Sequence, residues 1–250
     1  MTRVPVSIVL LASAVLIAGC GGDDDPAYEP PTLVHVVADE AIRQPMIYLK
    51  TDWDDNHTER VVFQFSPTTD MVAAARGDGE ADVLVTDDLA AMNAAKADGL
   101  LAADPVAVAT NRIVLGVPTN SPITGLSGLD GVRWIECTAS TACGRTTRAV
   151  QAENGFTDKP YQRREPMDIL PRVISGQAAA GFMWASEASE VAADPLIRTV
   201  EIPGAADHRV TYYMAPLSRA EQPDAARDFV ALATSDTGRA LIERGRFDLP

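Results

Sequence analysis

The chain has 250 residues, with 35 acidic against 21 basic side chains and a formal net charge of −14. So acidic a surface excludes nucleic acid as a partner and disfavours lying flat on anionic lipid, because the phosphates of both would be repelled. The length and a hydrophobic content of 46% suffice for one large or two small domains.

Taken in order, the first 19 residues carry one charge, Arg3, then the apolar run VPVSIVLLASAVLI, then Ala18 and Gly19 before Cys20. These are the three parts of a secretory signal peptide, and the run is short for a membrane span. Ile17-Ala18-Gly19-Cys20 resembles the lipobox of bacterial lipoproteins, which implies cleavage before Cys20 and lipidation of its sulfur. Residues 1–19 are then a lipoprotein signal peptide and residues 20–31, CGGDDDPAYEPP, a lipidated, flexible acidic tether.

Beyond the tether, β-rich apolar runs over 33–37, 61–65, 83–85, 112–117, 132–136, 181–184 and 210–215 predict strands. Helical patterns lie between and after them over 45–53, 68–76, 89–97, 145–154, 169–175, 224–233 and 236–243. The alternation predicts an α/β fold with mainly parallel sheets. The segment DWDDNHTE (52–59) begins like a calcium loop but has His57 where the loop needs glycine, so it reads as a solvated helix end. His35, His57 and His208 are scattered and no G-x-S-x-G is present, so neither a metal site nor an enzyme is expected.

With Cys20 assigned to lipid, the stretch ECTASTACGRTTR (136–148) holds the other two thiols, Cys137 and Cys143, of an exported chain. Export is oxidising, the spacing is not C-x-x-C, and no third cysteine or nearby histidine completes a zinc shell, so a disulfide is expected. It closes a short loop and restrains the unfolded chain by only ~2 kcal/mol. Its use is either to fix a functional turn or to staple a surface loop.

The segments ADVLVTDD (81–88), NRIVLGVPTNSP (111–122), ISGQAAAGFMWASEA (174–188) and FVALATSDTGRALIERGRF (229–247), in this order and spacing, resemble the molybdate-binding proteins of bacterial ABC importers, a type II solute-binding family. The resemblance implies an α/β, two-lobed periplasmic-binding-protein fold, each lobe a mainly parallel sheet flanked by helices. Residues 32–111 plus 208–250 would form lobe one and 112–207 lobe two, with the ligand cleft between them. It further implies a monomer without cofactor that binds molybdate, tungstate or a similar tetrahedral oxyanion and serves a permease and its ATPase. Such an anion is held by hydroxyls and by backbone N–H groups at helix starts, where unsatisfied donors and the helix dipole favour negative charge.

On that pattern the residue at Cys143 presents its N–H, with Thr141 capping the helix so that the amides of Cys143 and Gly144 point outward. In lobe one, Ser66 caps a helix beginning at Pro67 and turns Thr68 and Thr69 toward the cleft. Trp184 stands where the family usually has a tyrosine donor, and Met167, after the donorless Pro166, supplies a further amide. One departure concerns the end of the first strand, where Asp39 and Glu40 replace a small alcohol. A carboxylate about 4 Å from the anion repels it by several kcal/mol at intermediate dielectric. Either both acids turn outward, or Glu40 is protonated or paired with Arg43 or Arg145, or the ligand is a different one, organic or cationic. An extracytoplasmic sensor or enzyme on the same scaffold is the remaining alternative.

Overall fold

The structure, a computed structural model, describes residues 30–66, 81–190 and 196–250. The signal peptide, Cys20, most of the tether, the helix expected at 68–76 and the site residues Thr68 and Thr69 lie outside the described residues. Among the described residues no helix is long and apolar enough to cross a membrane.

Two five-stranded sheets organise the chain. In the first, β1 (Leu33–Asp39) is flanked by β2 (Arg60–Ser66) and β3 (Val83–Thr86), both parallel to it. Then come β10 (Val210–Pro216) and β4 (Val106–Asn111), giving the order β2-β1-β3-β10-β4 with β10 antiparallel to both neighbours. The second sheet repeats the scheme with β6 (Trp134–Cys137) between β7 (Gln162–Arg164) and β8 (Ala180–Trp184), parallel to both. Its order is β7-β6-β8-β5-β9, where β5 (Ile113–Pro118) runs antiparallel to β8 and to β9 (Ile197–Val200). The α/β, two-lobed architecture is the one expected, and within each sheet the parallel strands form one half.

Central strands are covered on both faces, which is why LVHVVAD and AGFMW read as near-continuous apolar runs rather than alternating ones. One face of the first sheet packs on α1 (Arg43–Asn56), α6 (Pro223–Thr234) and α7 (Asp236–Arg244), burying Met46, Leu49, Trp53, Phe229 and Ile242 with Tyr212 and Met214. The other face carries α2 (Leu89–Ala97), whose Met92 packs against Leu84, Ala215 and Leu217. The second sheet has its own core, in which Trp134, Ile135, Phe182 and Trp184 meet Val150 of α3 (Ala142–Glu153) and Ile169 and Val173 of α4 (Pro166–Ile174).

Three short strands and one helix escape the sequence pattern. The run from Val106 to Pro118 looks like one apolar stretch with its predicted strand at 112–117, yet it is divided at Arg112, β4 joining one sheet and β5 the other. The edge strands β7 (QRR) and β9 (IRTV) are too short and too polar to register, and α5 (Ala185–Glu190) is a single short helix after β8.

Candidate functional site

The parallel strands of both sheets end on helix or turn starts, the place where α/β sheets bind ligands. In the second sheet, the turn after β6 leads into α3. Thr141 Oγ1 accepts from the Gly144 N–H at 3.1 Å and caps the helix as expected. That bond takes up the Gly144 amide, which was expected to face outward. Among the described residues, the donors left uncommitted in the first turn are the amides of Ala142 and Cys143. Cys137 and Cys143 are disulfide-bonded with 5.7 Å between their Cα atoms, tying the end of β6 to this turn.

A second helix start lies beside it, because β7 is the parallel neighbour of β6. Pro166 is the first residue of α4, the Asp168 N–H returns to Glu165 O at 2.9 Å, and the Met167 amide stays uncommitted among the described residues. The two turns are joined: Thr138 N–H donates to Arg164 O at 2.7 Å, and Thr138 Oγ1 donates to Glu165 Oε1 at 2.9 Å. β8 ends in the same row at Trp184, which is 1% exposed and belongs to the apolar core, paired in register with Ile113.

The first sheet presents Asp39, Ser66 and Thr86 at the matching ends of β1, β2 and β3, with Asp39 and Ser66 register partners. Asp39 is buried and its Oδ1 accepts from Ala41 N at 2.8 Å, capping the short 3-10 turn Glu40–Ile42. Glu40 is clamped outward by Arg43 through two contacts of 2.7 and 2.6 Å, and the Arg43 guanidinium lies 3.9 Å over the Phe65 ring. Of the placements expected for Glu40, the pairing with Arg43 is the one found.

Tyr212 is a contributor that the sequence pattern does not reveal, since a tyrosine inside an apolar strand reads as core. It is fully buried, and among the described residues its hydroxyl has no hydrogen-bond partner. Burial raises its pKa well above 10.0, and the charges of Asp39, Asp87 and Glu187 push it further in the same direction. Those three carboxylates come from β1, the end of β3 and α5.

The chain passes between the sheets at Asn111–Arg112 and again between β9 and β10, and both passages are fastened. Asn111 Nδ2 donates to Ser186 Oγ at 2.8 Å, and Arg112 bridges Glu201 at 2.9 Å and Asp248 at 3.2 Å. Next to these passages lies a cavity of about 320 Å³ walled from both sheets, with Asp87 and Leu89 on one side and Ala142, Arg145 and Thr146 on the other. Of the four arginines flanking the two turns, Arg145 alone lines it. Arg163 is paired with Glu136 at 2.7 Å, Arg148 donates to Ala139 O at 2.9 Å, and Arg164 is hydrogen-bonded to Gln162.

A model of the bacterial extracellular solute-binding proteins matches residues 34–247. The molybdate-binding proteins ModA of Mycobacterium bovis and Mycobacterium tuberculosis are each 31% identical over 254 residues, covering 96% of this chain and 97% of the relative. The periplasmic molybdate-binding protein of Azotobacter vinelandii superposes with a TM-score of 0.73 at 14% identity, over 87% of this chain and 99% of that one, a likeness of fold. Match and fold agree, and the chain belongs to the bacterial extracellular solute-binding protein family.

Proposed function

We propose that the chain is a lipid-anchored solute-binding protein of an ABC importer, held outside the cytoplasm through Cys20, which captures molybdate, tungstate or a similar tetrahedral oxyanion. The ligand lies between lobe one, residues 32–111 with 208–250, and lobe two, residues 112–207, and is delivered to a permease and its ATPase. The observation that supports this most is the pair of joined helix starts, which leaves the amides of Ala142, Cys143 and Met167 uncommitted at one sheet edge. Neutral donors at helix starts stabilise an anion without a lysine, because the dipole and the unsatisfied N–H groups act together. Ser66, Thr68 and Thr69 complete the shell from lobe one, and the disulfide holds the Cys143 turn in place before the ligand arrives, which reduces the ordering cost of binding. The protein works by binding and release and carries out no reaction.

Calorimetry of the purified protein with molybdate, tungstate, sulfate and phosphate tests this reading. Micromolar or tighter binding of molybdate or tungstate is expected, about −8 kcal/mol or better. No heat with any of the four overturns it. A second reading, a cationic or organic ligand, is favoured by the buried Asp39 at the end of β1 and by the negative charges of Asp39, Asp87 and Glu187 that act on Tyr212. Titration with divalent cations in the same instrument separates the two. For the anchor, Cys20→Ala is expected to release the protein from the membrane fraction or leave the precursor uncut.

A further inference from the structure

Two stretches carry the chain between the sheets, Asn111–Arg112 on the way out and the segment from Glu201 to Arg209 on the way back, and Arg112 touches both. Its carbonyl accepts from the Ala185 N–H at 2.9 Å, which ties its backbone to the start of α5 on the side of the second sheet. Its side chain reaches the other elements. Nη2 and Nε donate to Glu201, just past the end of β9, at 2.9 and 3.3 Å, and Nη1 donates to Asp248 at 3.2 Å.

Asp248 is anchored to the first sheet. Its N–H donates to Thr110 O at 3.1 Å and its carbonyl accepts from Thr110 N at 2.7 Å, while the preceding Phe247 is buried with its ring 5.7 Å from that of Tyr212. One guanidinium therefore joins the outgoing passage, the returning passage and the C-terminal segment. The side chains involved are partly open to water, Arg112 at 27%, Glu201 at 62% and Asp248 at 47%. Ion pairs so exposed do little for global stability, so this arrangement is poorly suited to holding the fold together. Beside it a cavity of about 340 Å³, walled by Val114, Ala185 and Thr199 on one side and Phe247 on the other, gives the passages room to bend.

We propose that Arg112 is a positioning residue for ligand binding, which makes the two passages bend as one hinge and limits the relative motion of the sheets before the ligand arrives. A planar fork suits this task, because it holds two carboxylates at once in fixed directions and an ammonium does not. Without it the passages and the C-terminal segment move separately over the cavity, and the unliganded protein spreads over more arrangements. Each binding event must then order them, which weakens affinity although no contact with the ligand is lost. Arg112 lines the hinge cavity and not the turn that offers the Ala142 and Cys143 amides. The inference rests on the reading of the chain as an oxyanion-binding protein.

The test joins molybdate calorimetry and amide hydrogen exchange on the full-length protein. The set is wild type, Arg112→Gln, Arg112→Lys, Asp248→Asn, the double variant Arg112→Gln/Asp248→Asn, and Arg239→Gln, an exposed residue of α7 that controls for net charge. Arg112→Gln is expected to bind molybdate roughly two- to tenfold more weakly, and Arg239→Gln as wild type does. In the unliganded variant the amides of Thr110, Ala185 and Asp248 exchange faster while those of Val36 and Phe182 in the cores do not, and saturating molybdate removes the difference. Arg112→Lys recovers part of the affinity, and the double variant binds no more weakly than Arg112→Gln, since the pair is already broken. Wild-type affinity in Arg112→Gln, exchange that quickens equally in the cores, no recovery with lysine, or additive losses in the double variant would each overturn the proposal. If wild type binds no molybdate, the oxyanion reading fails by itself, and unaltered exchange at Thr110 and Asp248 in Arg112→Gln overturns the hinge role whatever binds.

Discussion

Gly144 is the third residue of α3, and the turn before it leaves no room for a side chain. A Cβ at this position would overlap the Thr138 carbonyl oxygen and stand 2.7 Å from its carbon and 2.9 Å from Ala139 Cα. Carbon atoms in contact keep about 3.5 to 4.0 Å, so Gly144→Ala must open the turn by roughly 1 Å. The obstructing atoms are backbone and are themselves held. Thr138 O accepts from Thr141 N at 3.0 Å and Thr141 Oγ1 at 2.7 Å, Thr138 N donates to Arg164 O, and the disulfide begins one residue earlier. Overpacking of this kind costs about 1–3 kcal/mol, offset by up to ~1 kcal/mol of better helix propensity, and leaves a net loss of about 1–2 kcal/mol. For a chain of this size that lowers Tm by roughly 2–8 °C. Moving the Ala142 and Cys143 amides by the same distance removes a hydrogen bond to a charged ligand, a further ten- to hundredfold in affinity by rough estimate. Gly125→Ala is the control: nothing lies near its Cβ position and its backbone is extended, φ 179°. That change is expected to stay within about 0.5 kcal/mol. Thermal melts and molybdate calorimetry of both variants decide the matter. Gly144→Ala melting with wild type refutes the steric argument, and unaltered binding removes the turn from the site.

Tyr212→Phe, which deletes a buried hydroxyl without a partner, is expected to raise stability by about 1 kcal/mol in urea melts, and a loss would mean that the hydroxyl is satisfied in solution. The raised pKa of Tyr212 has a sign that the same variant checks. Below pH 10.0 the phenol is neutral folded or unfolded, whereas above it the unfolded phenol ionises and the buried one resists, so wild-type stability falls with rising pH and Tyr212→Phe flattens that fall. Removing the disulfide with Cys137→Ala and Cys143→Ala together is expected to cost ~2 kcal/mol and to weaken oxyanion binding; a variant equal to wild type in both would make the bridge a mere surface staple.

Local physics made much of this protein legible in its sequence. The switch between β-rich runs and helical patterns located most elements, and α2 was placed to the residue, where the structure shows Asp88 capping it. The disulfide followed from cysteine count and redox setting, and the cap at Thr141 from the family resemblance together with residue type. Capping, helical period and strand alternation are set by neighbours within about four residues, so one sequence suffices to read them. What the tertiary structure decided is everything that depends on strand order. Only the parallel pairing of β6 with β7 brings the Cys143 and Met167 turns side by side. Division of one apolar run at Arg112 sends β4 and β5 to different sheets, and the return of β10 to the first sheet puts Tyr212 in the field of Asp39, Asp87 and Glu187 and Arg209 on the wall of the same cavity as Arg145. These encounters join residues far apart in the chain, and the free energy that selects them is the burial of two separate cores. That burial is a property of packed sheets and helices, and no local residue pattern encodes which charged side chains it leaves face to face.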